Sequence, residues 1–548
     1  MKNEILIPNE RQLDWYKRKT AFIHFSINTF TGNEWGDGTE SPELFAPTDL
    51  DCEQWMQVLR DAGFTNAILT AKHHDGFCLW PSKFTEHSVK NSPYKNGKGD
   101  IVREFIDACN KYGIKPGLYL SPWDRNYKEW GTDRYNDYYA AQLTELMTNY
   151  GPIYECWWDG AGSTEANYDW ARWANIVRTN QKDCVIFGSL GSTEFVDVRW
   201  IGNELGKAAE NCCATIDASA LETETTGELF CGKKDGNRFI PAECDMSIRP
   251  GWFYHKEQDD LVKSPVQLTN YWFTSAGRNC GILLNIPPDK RGLICEKDAT
   301  NLKLWFEAIN DIFKDNLLLN SNFSVNGKEL PNFENLFTEN ESTVQLENSS
   351  VLNFTFDSPQ KINCLRLEED IAFGQRINGF TVEALQDSKW QLLLEGKVIG
   401  NCFARHFDTV KAEAIRITFT SDLPSVLKYV GAFYADESFF VESFELNDNI
   451  FDLAAIQSAK IIHNKTEVEI EFGGIFPFNT VIFEDEKIPF FEIFAFNGSQ
   501  YESVYFGVHS SEHEVCKFQT VEGSYKIKLV SYECDGFKEN VKISVFKR

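Results

Sequence analysis

The sequence predicts an α/β region joined to an all-β one: an N-terminal (β/α)8-like barrel followed by two β-sandwich domains. The first observation is a run of eight short apolar segments between Thr20 and Phe313: Ala21–Ser26, Ala67–Ala71, Lys115–Leu120, Ile153–Trp157, Cys184–Ser189, Val198–Ile201, Glu243–Ile248 and Gly281–Ile286. Amphipathic stretches lie between them, among them Cys52–Ala62, Ile101–Tyr112, Tyr135–Tyr150, Tyr168–Asn180 and Pro265–Ala276, with apolar residues at helical spacing. Alternation of this kind is what parallel strands wrapped by helices require, and eight strands suffice to close a barrel. The stretch from Leu205 to Arg238 fits no helix and reads as an elaborated loop.

The second observation is the change of texture after Lys314. Helical periodicity gives way to alternating strands punctuated by Asn, Ser, Gly and Asp. The third is a weak internal repeat in that region, Phe356–Asp370 against Phe472–Glu486 without gaps, pairing Phe356 with Phe472, Asn363 with Asn479 and Glu368 with Glu484. The expected organisation is a catalytic barrel over 1–315, a sandwich over 316–436 and a second sandwich over 437–548.

Size and composition agree with several cores. The 548 residues exceed what one core accommodates, and hydrophobic residues make up 42% of them. A net charge of −27 opposes the basic face that nucleic acid needs, and it disfavours anionic membranes. No stretch approaches the roughly 20 apolar residues of a spanning helix. The N-terminus lacks the apolar run of a signal peptide, so the chain reads as cytoplasmic as given, or as periplasmic or secreted with a leader removed. Fifteen cysteines, scattered singly apart from Cys212 and Cys213, show no zinc-ribbon spacing and read as reduced, buried thiols.

In a parallel barrel, polar residues at the C-terminal ends of strands meet at one mouth, where active sites form. The strand ends here are rich: His24 after the first, Lys72-His73-His74-Asp75-Gly76 after the second, Tyr119 to Asp124 at the third, Trp157-Trp158-Asp159-Gly160 at the fourth and Trp200 to Glu204 at the sixth, with Pro241-Ala242-Glu243 in the loop before the seventh. Glycoside cleavage needs one carboxylate to attack or support the sugar carbon and one carboxylic acid to protonate the leaving oxygen. Asp159 closes an apolar strand and is the nucleophile candidate. Glu204 closes another and is the acid/base candidate, with Glu243 in reserve. His73 and His74 invite a metal reading, but adjacent residues of an extended strand point to opposite sides, which favours hydrogen bonding to sugar hydroxyls over shared ligation.

The motifs FIHFSINTF, NEWGDGTE, KHHDGF, GLYLSPWD, WWDG, RWIGNELG and PAECDMSIRPGWFYH, spread over residues 11 to 290, resemble the α-L-fucosidases of glycoside hydrolase family 29. The resemblance implies a TIM-barrel catalytic domain and a retaining mechanism through a covalent fucosyl-enzyme on Asp159. It implies a fucose pocket of His24, Glu34, Trp35, His73, His74, Tyr119 and Trp252. The spellings WIGNELG and NEWGDGTE resemble the subfamily that cleaves α-1,3 and α-1,4 fucosides of Lewis-type glycans, in which Glu204 occupies the acid/base position. No cofactor and no metal is implied, and the partner is a fucosylated oligosaccharide or glycoconjugate. The sandwiches loosely resemble discoidin-like carbohydrate-binding modules. Two other readings stand beside this one: a metal-dependent hydrolase using His24, His73, His74 and Asp159, and an inactive protein that binds fucosylated glycans.

Overall fold

The computed structural model describes residues 5–440 except 190, 218–226 and 341, and beyond them 460–464, 467–471, 478–484, 491–496, 499–507, 513–521, 524, 526–531 and 542–546. Eight strands close the barrel: β1 Thr20–Ile23, β2 Asn66–Lys72, β3 Lys115–Leu120, β4 Glu155–Trp157, β5 Val185–Gly188, β6 Val198–Trp200, β7 Ala242–Ser247 and β8 Gly281–Asn285. Each pairs in parallel with its neighbours in sequence, and β8 returns to β1 with Ala21 beside Leu284. All eight fall on the apolar runs named above. The barrel interior is packed with large rings and branched side chains, including Phe22, Ile68, Tyr119, Trp157, Val185, Phe187 and Leu283. It is a filled core with a polar mouth, not a pore.

Six helices cover the outside: Cys52–Asp61, Ile101–Tyr112, Asp133–Asn149, Trp170–Asn180, Pro265–Thr274 and Glu296–Ile312. Their ends follow local chemistry. Asp100 caps Ile101–Tyr112 by accepting from the Arg103 amide, and Gly113 stops it at φ 73°. Ser264 and Gln267 form a reciprocal capping box at the start of Pro265–Thr274. Apolar faces of these helices pack on the strands.

The regular alternation fails between β5 and β7. Among the described residues between β5 and β6 there are turns and no helix. The 205–238 excursion holds a short antiparallel pair, Thr215–Ile216 with Arg238–Phe239, and a five-residue helix, Gly227–Cys231. An N-terminal helix, Glu10–Trp15, closes the opposite end of the barrel. Its Gln12 side chain donates to the carbonyls of Asp197 and Phe239, and Trp15 enters the barrel interior. Trp15 fits because residue 281 is glycine: a Cβ there would lie 2.3 Å from the indole. Gly281→Ala would therefore displace a buried tryptophan from the barrel floor.

Beyond Leu317 the structure is antiparallel. Strands Ser349–Glu369 and Phe403–Ser421 pair through register shifts at Thr355/Gln360 and Ile362/Cys364, irregularities of the kind that bend long strands. Their inward residues, among them Leu352, Phe354, Leu365, Ile415 and Ile417, build a core separate from the barrel's. This region is tied to the barrel by the main chain, where Ala404 N–H donates to Gly277 and Asn279 N–H to Cys402, and by the Asn279 side chain accepting from Asn401 N–H. Among the described residues the C-terminal region forms a five-stranded and a three-stranded sheet. Val468, Ile493, Ile527 and Leu529 of the first share one core with Val481, Cys516, Phe518 and Val545 of the second, as in a sandwich. Asn363 and Glu368 lie on Ser349–Glu369, and Asn479 and Glu484 on the strand Phe478–Glu484; Phe472 and Glu486, the ends of the repeat, lie outside the described residues.

Among the described residues every cysteine is a free thiol. No helix there is long and apolar enough to cross a membrane.

Candidate active site

Strand alternation sends every second side chain into the barrel, and the polar residues continue that parity past the strand ends. Phe22 faces the interior and so does His24. Tyr119 lies on the inward face of β3. Trp157 is inward on β4, and Asp159 follows two residues on.

β2 needs a correction of parity. Its register against β3 shifts between Thr70 and Lys72. The irregularity turns Lys72 outward, where the ammonium is fully buried against Asp124 at 2.9 Å and Gln142 at 3.0 Å. His73 and His74 then lie just beyond the strand, where strict alternation no longer holds. Both rings line one wall, with centroids 4.1 Å apart, contrary to the opposed pair expected from an extended strand. Among the described residues no group of three His, Cys, Asp or Glu side chains is arranged to hold a metal ion.

Asp159 is held on both oxygens. Oδ1 accepts from the Ala161 amide at 2.7 Å and Oδ2 from the Tyr119 hydroxyl at 3.1 Å, with His74 Nε2 at 4.0 Å from Oδ2. His74 is oriented by Ser121, whose Oγ lies 2.8 Å from Nδ1. His24 is oriented by Asn285 at the end of β8, 2.8 Å from Nδ1. Burial depresses all three imidazoles: His24 falls to about 3, His73 goes well below its usual value, and His74 is lowered although Asp159 pulls the other way. The wall therefore offers neutral hydrogen-bonding rings, suited to the hydroxyls of an uncharged sugar.

The rest of the mouth is built on loops. Glu34 accepts from the Trp252 amide at 2.8 Å and meets His255 Nε2 at 2.6 Å, so the first and seventh strand-end loops are clamped together. Trp252 in turn donates its indole N–H to Glu204 Oε2 at 3.1 Å. Glu204 is exposed at the rim yet ringed by acids. Desolvation raises its pKa, and the charges of Asp159 and Glu34 act in the same direction against the Trp252 hydrogen bond. Trp35 stands at the entrance, 60% exposed, with its ring edge-on to His74 and Trp123.

Glu243 lies lower. It is fully buried and accepts from Trp157 Nε1 at 3.2 Å, beneath the indole that forms the floor of the mouth. Sequence reasoning passed over Asp245, the next inward residue of β7. It is 4% exposed and accepts from Trp200 Nε1 at 2.9 Å; burial and then the charge of Glu204 push its pKa well up. Period-two counting from Glu243 along β7 was the signal that could have found it. Asn285 and His255 were also missed, because orienting partners carry no motif of their own.

The family model of the α-L-fucosidases matches residues 6–305, which includes the whole barrel and its mouth. This chain belongs to the α-L-fucosidase family. An Arabidopsis thaliana relative, α-L-fucosidase 1, is 39% identical over 431 residues, covering 75% of this chain and 84% of its own. A candidate α-L-fucosidase from Bacteroides thetaiotaomicron superposes with a TM-score of 0.76 at 43% identity, over 79% of this chain and 98% of that one. A glycoside hydrolase 29 member from a rumen bacterium covers both chains completely, with a TM-score of 0.71 at 31% identity. The enzyme is thus a glycoside hydrolase, an α-L-fucosidase, with a fucosylated glycan as substrate.

Proposed function

We propose that this α-L-fucosidase is a retaining exo-enzyme that removes terminal α-1,3- and α-1,4-linked L-fucose from branched, Lewis-type glycans. Asp159 is the nucleophile and Glu204 the acid/base. The observation that carries the reading is the contrast between these two carboxyl groups. Asp159 is fixed on both oxygens, by the Tyr119 hydroxyl and the Ala161 amide, whereas Glu204 is pushed toward the protonated form by desolvation and by the charge of Asp159. A structure of a Ruminococcus gnavus GH29 fucosidase in complex with fucose, 31% identical with a TM-score of 0.72 over 79% of this chain and 96% of its own, supports fucose as the glycone.

In the first step Asp159 attacks the anomeric carbon, the glycosidic C–O bond breaks, and the Glu204 proton passes to the leaving oxygen. Covalent capture removes the Asp159 charge, so Glu204, now ionised, takes a proton from water. The hydroxide equivalent displaces Asp159 with overall retention. His24, His73, His74 and Tyr119 bind the ring from one side, and Glu34, Trp35 and Trp252 shape the other. Glu243 does not serve as acid/base in this scheme because Trp157 lies between it and the mouth. Catalysis resides in residues 1–315, and the sandwiches of 316–436 and 437–548 are proposed as glycan-binding appendages.

The test offers the enzyme an aryl α-L-fucoside, a linear α-1,2-fucosyl galactoside and a Lewis trisaccharide, with the anomer of released fucose followed by NMR. Faster release from the Lewis trisaccharide with an initial α-anomer is the expected result. Preference for the α-1,2 substrate or initial β-fucose overturns the linkage or the mechanism, respectively.

A further inference from the structure

Behind His73, three buried side-chain atoms have no hydrogen-bond partner among the described residues: His73 Nδ1, Asp75 Oδ2 and His87 Nε2. They belong to one cluster. Asp75 Oδ2 lies 4.0 Å from His73 Nδ1, and Asp75 Oδ1 lies 4.0 Å from His87 Nε2. The carboxyl group is entirely buried and the two rings are 4% and 6% exposed. A buried polar atom left unpaired loses its hydration with nothing in return, so such atoms are normally satisfied. A 4.0 Å separation is about one ångström beyond a direct bond, a gap closed by a small rotation of the rings.

The carboxyl cannot turn away. Asp75 Oδ1 accepts from the Phe77 amide at 2.7 Å across a turn in which Gly76 takes φ 83°, where a Cβ would meet Asp124 Oδ1 at 2.3 Å. On the other side a Cβ at Gly36 would lie 2.8 Å from the Asp75 Cβ, so the carboxyl is backed by the loop that carries Glu34 and Trp35.

Burial pushes the Asp75 carboxyl up to about 7, so above that pH it is a carboxylate and counting donors decides how the cluster is satisfied. An ionised carboxylate only accepts, and a neutral imidazole has one N–H. Burial keeps both rings neutral. With Asp75 ionised, one arrangement satisfies all three atoms: His73 carries its proton on Nδ1, His87 carries its proton on Nε2, and Asp75 accepts from both. His73 Nε2 is then a bare acceptor on the wall beside Tyr119, whose ring is stacked at 5.9 Å.

We propose that Asp75 is a positioning residue: it holds His73 as the Nδ1-protonated tautomer, so that Nε2 accepts a hydrogen bond from a donating hydroxyl of the fucosyl ring. The proposal rests on the reading of His73 as part of the sugar pocket. A carboxylate that fixes the tautomer of a working histidine has the same physical role in hydrolytic triads, where it orients the ring without taking its proton.

The test uses the full chain with 15N-labelled histidine, the His73 signals being identified by their loss in His73→Gln. The expected wild-type spectrum has a protonated Nδ1 and a bare Nε2 on His73. Asp75→Asn, which matches the carboxyl in size but turns an N–H toward Nδ1, is expected to reverse that pattern. It is also expected to lower kcat/KM on an aryl α-L-fucoside about 10- to 100-fold, the cost of one misdirected buried hydrogen bond, at an unchanged thermal midpoint. In a His73→Ala background the same change should do nothing further. A wild-type His73 protonated on Nε2 overturns the proposal, and so does an equal Asp75→Asn loss with or without His73. A wild-type enzyme that shows the expected tautomer but cleaves no α-L-fucoside refutes the functional reading and leaves this one standing.

Discussion

The two sides of the mouth are built differently. On one, His24, His74, Tyr119 and Asp159 stand at or just past barrel strands, buried or half-buried, each tied to a neighbour within 3.1 Å. On the other, Glu204 begins an excursion that runs to the start of β7 and in which the described residues hold one short helix, Gly227–Cys231; its described tie is the Trp252 indole. The difference teaches where each task is placed. In the proposed mechanism, bonding the glycone demands fixed geometry, which closed strands supply, whereas the proposed acid/base, which would meet variable leaving sugars, sits on a loop that can accommodate them.

The sharpest way to break this comparison is at its rigid side. Asp159→Ala is expected to lower turnover of every α-L-fucoside by about 10⁴-fold or more, as for a group acting covalently, with a thermal midpoint close to wild type. Steady-state kinetics and calorimetry on one preparation check both halves. Substantial residual turnover would mean that another group performs the attack.

On the loop side the effect depends on the leaving group. Glu204→Ala is expected to slow natural fucosides by about 10² to 10⁴-fold, the range of general acid catalysis, and aryl fucosides with good leaving groups far less. Azide should restore turnover, with α-fucosyl azide as product. Equal losses on both substrate types would place the acid elsewhere, and Asp245, whose pKa burial and the charge of Glu204 push up, would be the next residue to change.

The buried wall also has a pH signature. His24 titrates near 3 in the folded protein against 6.5 when free, and His73 and His74 are lowered too. A lowered folded pKa means that the unfolded chain binds protons the native state refuses. This contribution is therefore fully present above about pH 6.5 and is lost as the pH falls toward 3. Thermal midpoints should drop over that interval, and His24→Asn should make the drop shallower. A midpoint–pH curve identical in the variant would remove His24 from the account.

The smallest effect is expected farthest from the mouth. Asn279→Ala removes the side chain that donates to the Cys212 carbonyl and accepts from Asn401 N–H where the barrel meets the following sheet, a loss of about 1–3 kcal/mol in stability. Denaturant unfolding should register it while kcat/KM on an aryl fucoside stays within about twofold. A large loss of activity would tie the sandwich to the chemistry.

Most of the barrel was legible because strand and helix periods are local properties of the chain. Eight apolar runs at the right spacing became β1 to β8, and the polar residues after the first four runs and the sixth pointed to the mouth. The parts that escaped are those in which local signals are silent. Glu10–Trp15 is too short to show a period, yet it seals the barrel because Gln12 finds two carbonyls far along the chain and Trp15 finds Gly281. Asp245 looked like one acid among many until β7 aimed it inward.

By its own residue pattern, then, the sequence determined the succession of elements, the change to antiparallel sheets after Lys314, and the candidate residues Asp159, Glu204, His24, His73 and His74. Those follow from alternation and hydrophobic spacing, which act between near neighbours. Tertiary structure alone decided that His73 and His74 share a wall, since one register shift between β2 and β3 reset the parity. It decided that Glu243 lies under Trp157 while Glu204 reaches the rim, and that Asp75 faces two imidazoles across 4.0 Å. Burial, orientation and proton affinity depend on what the closed barrel brings together from distant parts of the chain, and no local pattern records those distances.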